Sequence, residues 1–164
     1  MMDDRVSDLL GIVREEIHLY RDLIEHARRK TALLVQGRAD AIQESNRAEE
    51  LFNLKLRELE AEMTHLCQEL GQAFRIPREE LSLMKLSENL ENSLALELSA
   101  QTTLFRNIVK QLKSVNQRNM RLIEKSLHYS RGLLALIANV SGSYRQTGLF
   151  EPASSVQPTF SQRA

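Results

Sequence analysis

NLENSLALELSAQTTLFRNIVKQLKSVNQRNMRLIEKSLHYSRGLLALIANVSGSY, residues 89–144, decides the fold. The stretch contains no proline, and its only glycine before Gly142 is Gly132. Leu94, Leu98, Phe105, Ile108, Leu112, Val115, Leu122, Tyr129, Leu133, Leu136 and Val140 recur at three- and four-residue steps along one stripe. That spacing predicts a very long amphipathic helix, roughly 80 Å at 1.5 Å per residue. Nothing else in the chain is long enough to cover it, so part of its apolar face is expected to remain open to a partner.

Working outward, the segment before it reads as two more helices. Val6, Val13, Tyr20, Ala27 and Leu34 recur every seven residues, flanked by Leu10, Ile17, Ile24 and Thr31, with Leu9 and Leu23 opposite. This is a packing seam on a helix expected over 4–36, with Gly37 as its stop. Asp40, three residues before Gln43, reads as the next N-cap in a capping box. The loop is so short that the first two helices must be antiparallel neighbours. Ile42, Phe52, Leu56, Leu59, Met63, Leu66, Leu70 and Ala73 give the stripe of a second helix over 40–73. Ser45 and Glu49 fall at core positions of its first turns, which predicts a loose pairing near the hairpin. Pro77 suits the first turn of a further helix. Leu81, Met84 and Leu86 form a short apolar pattern, and Ser87 can cap the next helical stretch. One helix or two can occupy 77–92; the third main helix is expected over 78–144, either unbroken or broken near 87.

The fold class is therefore all-α: an antiparallel bundle or coiled coil of three main helices, the last very long. The helical domain is expected over 1–144. After Tyr144, Gly148, Pro152 and Pro158 punctuate a Ser-, Gln- and Thr-rich segment. Residues 145–164 read as a disordered tail, with Phe150 and Phe160 as its aromatic residues.

Composition agrees. The chain has 164 residues, of which 42% are hydrophobic, 27% charged and only 5% aromatic, a profile of long helices. Basic and acidic residues balance at 22 each, which disfavours a nucleic-acid-coating protein. The run Arg28-Arg29-Lys30 complements the dipole of a helix end. Cys67 is the sole cysteine, so no intrachain disulfide forms, and its place beside the apolar stripe is that of a small buried thiol. The N-terminus lacks the apolar segment of a secretory signal, and no run reaches the length of a membrane span. The expectation is a soluble cytoplasmic protein.

Catalytic and metal readings find little support. Glu15–His18 and Glu62–His65 have the Glu-x-x-His spacing of di-iron bundles. Their phase points them away from the core set by Val13, Tyr20 and Met63, as does that of His128, whereas metal ligands must converge. No glycine-flanked serine elbow and no glycine-rich phosphate loop occurs. The expectation is no enzyme, no metal and no cofactor, which leaves protein binding.

Within the long stripe, Asn119 and Ser126 interrupt the apolar pattern, with Asn116 and Gln117 just before. Buried amides in a helical seam fix register. On that reading Asn116 and Asn119 set the alignment of the long helix; the alternative is that they bound two zones, a self-packed one before and a partner-binding one after. Two helices of about 32 residues span roughly 48 Å, so cover should run out around Asn119. The face beyond is broad: Leu122, Ile123, Leu127, Leu133, Leu134, Leu136, Ile137 and Val140. Burying roughly 600 Å² of it would contribute about 15 kcal/mol gross, most of it offset by ordering and association costs. A bare patch of this size also invites self-association.

The order of these features resembles the FlgN family of flagellar type III export chaperones. The resemblance rests on Asn116-Gln117-Arg118-Asn119, the apolar pair Leu122-Ile123, then Leu127, Leu133 and Leu136, and Tyr144 with Gly148 as Tyr-x-x-x-Gly. The Gly37–Asp40 hairpin is similar to the family's Gly-Asp, with Arg38 and Ala39 intervening. The resemblance implies a cytoplasmic chaperone for the two hook–filament junction proteins, visiting the export apparatus at the inner membrane. It implies substrate contact at Leu127, Leu133, Leu136, Ile137 and Val140, and a role for Tyr144 at the cytoplasmic domain of the export gate. The competing reading is a structural coiled-coil adaptor unrelated to export.

Overall fold

The computed structural model describes residues 2–91 and 93–142. They form α1 (Met2–Gln36), α2 (Ala39–Ala73), a 3-10 turn (Arg78–Glu80), α3 (Leu83–Glu88) and α4 (Ser93–Gly142), with no strand among them. The all-α expectation holds. The chain divides into two units, residues 1–122 and 123–164, of which the first holds the core.

Polar contacts give the helix directions in that first unit. Arg5 pairs with Glu69 at 3.1 Å and Lys30 with Glu49 at 2.6 Å, so α2 runs antiparallel to α1. Arg14 meets Glu97 while Thr31 meets Asn119, sequence separations of 83 and 88, so α4 runs parallel to α1. The central position of α1 explains why Leu9 and Leu23, expected on its far side, are buried along with Val6, Leu10, Val13 and Ile17. Leu70, Leu86, Leu98 and Ile108 complete the main core. Tyr20 packs edge-on against Phe105, ring centroids 5.4 Å apart.

Both ends of the long hairpin close with the same backbone device. Gly37, at a φ of +67°, ends α1. The Arg38 N–H then donates to the Leu33 carbonyl and the Gly37 N–H to Leu34, the paired bonds of a Schellman motif. At the end of α2 the left-handed position falls on Arg75, φ +57°, a conformation that costs an L side chain about 1 kcal/mol or more. The Ile76 N–H donates to Gly71 at 2.8 Å, and the Ile76 side chain packs on the core, which offsets that strain. Leu81 then folds over Gly71, its Cδ1 only 2.7 Å from where a Cβ would stand.

Several sequence expectations need correction. The N-cap of α2 is Arg38, with no side-chain cap bond, and Asp40 lies inside the first turn, where its charge still favours the dipole. Of the two arrangements left open after Pro77, the separate helix is the one found: α3 ends at its C-cap Asn89, and the long helix begins at Ser93. Ser87 caps nothing: it lies buried within α3 and donates to the Met84 carbonyl at 2.7 Å. The capping serine is Ser82, which accepts from the Lys85 N–H.

The hairpin expected to be loose is tied by polar contacts. His26 Nε2 lies 2.9 Å from Ser45 Oγ and 3.0 Å from the Ser45 carbonyl. Lys30 donates to Glu49, and Phe52 packs against the His26 ring. Polar residues at core positions here have partners on α1 and do not weaken the pairing.

Candidate protein-docking surface

α4 changes character at Asn119. Before it, Leu98, Thr102 and Ile108 are buried, and Leu94, Phe105 and Leu112 are packed on the core. Asn119 itself is 4% exposed. Its Nδ2 donates to the Ala27 carbonyl at 2.9 Å, and its Oδ1 accepts from the Thr31 hydroxyl at 2.6 Å. The amide thus commits both ends to α1 and fixes the register of α4. Asn116 is exposed and lines a groove beside α2, so the two asparagines have different roles.

Beyond the lock, the apolar residues lose their cover. Leu122 is half-buried, and every residue from Ile123 to Ala138 is exposed. Ile123 is 37% exposed, Leu127 53%, Leu133 51%, Leu134 65%, Leu136 64% and Ile137 54%, values that a soluble helix does not show along a continuous face without a partner. The Val140 side chain and all of Tyr144 lie outside the described residues, as does the tail. Tyr129, on the stripe but not counted among the expected contacts, is exposed as well. Around Gly132 the helix surface is dented: His128, Tyr129, Leu133 and Leu136 rim a hollow of about 270 Å³, and nothing stands within 4 Å of a Cβ added at the glycine. A glycine within an apolar helical stripe is the sequence signal of such a notch.

The polar groups that the sequence singles out do not converge. Glu15, His18, Glu62, His65 and His128 are all exposed, and among the described residues no three His, Cys, Asp or Glu side chains could hold a metal ion. The Ser45–His26 contact resembles part of a hydrolytic triad. However, Glu49 approaches the same Nε2, at 3.9 Å, whereas an orienting carboxylate must hold the opposite ring nitrogen. Burial pushes the half-buried Cys67 thiol up to about 11, away from the reactive thiolate. No described helix is long and apolar enough to cross a membrane.

Sequence reading missed Glu16. Its side chain is fully buried, and neither carboxylate oxygen has a hydrogen-bond partner among the described residues. Burial, then the nearby Glu60 charge, push it up to about 7. The seven-residue seam gives no warning, because Glu16 sits off it, just before Ile17, and the Glu60 and Cys67 that sense its charge lie on α2, far away in sequence.

A helical bundle locked by one buried amide and carrying a bare apolar helical face has the build of a protein-docking module. The family model described as FlgN protein matches residues 1–149, and the chain belongs to that family. It is accordingly a flagellar export chaperone, a member of a family that is not enzymatic. No curated protein and no solved structure matches it.

Proposed function

We propose that this chain is a cytoplasmic chaperone of the hook–filament junction proteins. It captures their helical ends on Leu122, Ile123, Leu127, Leu133, Leu134, Leu136, Ile137 and Val140. The observation that carries the reading is the unbroken exposure from Ile123 to Ala138 on a helix whose apolar period continues from the core. An amphipathic substrate helix laid on that face would hide the surfaces of both proteins and block premature assembly. Family membership supports flagellar clients, and the resemblance at Tyr144 supports hand-over to the cytoplasmic domain of the export gate. No cofactor is needed, since docking and shielding are binding events; release is driven by another component.

The test is titration of a purified junction protein by calorimetry. Leu127→Asp with Leu134→Asp should weaken capture by about 100-fold or more, since each aspartate leaves a charge against an apolar partner. The bundle's melting temperature should stay unchanged, because neither leucine is packed. Tyr144→Ala should leave capture intact while export of the junction proteins falls. Full-affinity capture by the double aspartate variant would move the substrate site elsewhere.

A further inference from the structure

Beyond Leu122 the apolar face of α4 is two rows, not one. Ser126, Tyr129, Leu133 and Leu136 follow one another at steps of three, four and three residues. Ile123, Leu127, Ser130, Leu134 and Ile137 do the same at four, three, four and three. Each row has the heptad spacing of a seam that seats one partner helix. The second row is the first shifted by one residue, so the two seams stand about 100° apart around the helix. Every residue of both rows is exposed. The Ser130 hydroxyl donates to the Ser126 carbonyl at 2.9 Å, so covering Ser130 leaves that hydroxyl satisfied.

In a contact between two helices, the positions flanking the seam are commonly charged and stay wet. Here each seam is flanked on one side by the apolar row of the other. A single docked helix leaves one of those rows in water, whereas two helices side by side cover both. The first half of the same helix is enclosed from two sides. Phe105 packs on Tyr20 of α1, and Leu112 packs on a cluster that includes Leu56 and Leu59 of α2.

The outer borders of the two seams carry charge of one sign. Lys125 stands four residues before Tyr129, on the free edge of the first seam. Arg131 stands four after Leu127 and three before Leu134, on the free edge of the second. Both are exposed, and neither has a hydrogen bond or an ion pair among the described residues. From Lys125 to Gly142 the sequence has no acid. Glu124, nine residues before Leu133, falls on the opposite side of the helix. A second copy offering the same stretch would set cation against cation, which selects against it and for acidic partners. We infer that the client presents two helices side by side, one on each seam, each with acidic residues along its outer border. This rests on the substrate reading above and adds the number and the chemistry of the helices that dock.

Site-specific photo-cross-linking tests the number of helices. Leu136→Cys and Leu134→Cys, one on each seam, are made separately in the full chain carrying Cys67→Ser, labelled with a benzophenone and mixed with a purified junction protein. Mass spectrometry then maps the products. The expected result is that the two positions link to two different helices of the client. Links from both positions to one client helix, or to a second copy of this chain, overturn the inference and leave the substrate reading standing. Capture with no link at either position overturns the substrate reading and this inference with it. Calorimetry tests the borders: Lys125→Glu and Arg131→Glu should each weaken capture about threefold or more at low salt, and the loss should shrink at high salt. Capture indifferent to both changes and to salt overturns the acidic borders.

Discussion

α4 is one helix with two fates. Its first half and its second half carry the same three- and four-residue apolar period, yet Leu98 and Ile108 are 0% and 4% exposed while Leu134 and Leu136 are 65% and 64% exposed. Amphipathic spacing thus declares that a face requires a partner; it does not declare whether the partner belongs to the same chain. The division falls at Asn119, whose two hydrogen bonds to α1 come close to the end of that helix at Gln36. A leucine in either half has the same helix propensity and differs only in what stands opposite.

The comparison can be broken most sharply by truncating leucines in each half. Leu98→Ala should destabilise the protein by about 2–5 kcal/mol in urea unfolding, because it opens a cavity in a closed core. Leu134→Ala should change stability by less than about 0.5 kcal/mol, and equal losses at the two sites would erase the distinction between the halves. Next in size is the lock itself. Asn119→Leu removes both bonds to α1, although the Thr31 hydroxyl and the Ala27 carbonyl keep each other at 3.0 Å, and should cost about 1–2 kcal/mol. It should also raise hydrogen exchange of the α4 amides around it.

Glu16 sharpens the comparison through pH, since it is a charge-bearing group held inside the covered half. Its pKa is raised from 4.5 to about 7, first by burial and then by Glu60. Tyr20 and Cys67 are the other titratable groups that feel its charge. A raised acid binds its proton more tightly in the folded state. Its stabilising contribution is therefore complete below about pH 4.5 and is lost as the pH climbs through about 7. Glu16→Gln should stabilise the bundle at pH 8, on the order of 1–3 kcal/mol, and the difference from the parent should vanish near pH 4. A parent and variant differing equally at both pH values would show that Glu16 does not titrate on folding. The smallest effect belongs to the α2 cap: Arg75→Gly removes left-handed strain and should raise stability by about 0.5–1 kcal/mol in thermal melts.

Legibility in the sequence tracks the range of the physics. Gly37 closes α1 where expected, since a left-handed stop is local and glycine adopts it with least strain. The caps expected at Asp40 and Ser87 fall elsewhere because Ser/Asp signals recur every few residues and neighbouring turns compete for them. Ser45 and Glu49 are recognisable as polar core positions, but their partners His26 and Lys30 lie 19 residues away, beyond any local pattern. The docking stripe, Tyr129 included, is readable from its period, whereas the exposure of Tyr129 is not, because an aromatic on such a stripe usually packs.

The antiparallel hairpin of α1 and α2 and the apolar stripe of α4 were determined by the sequence alone, because periodicity, helix stops and loop length act within a few turns. Which half of the stripe is covered, that Asn119 ends the covered half, and that Glu16 is shut in without a donor were decided by tertiary structure. Burial is a property of what stands opposite a side chain, and that depends on the register between helices separated by more than eighty residues.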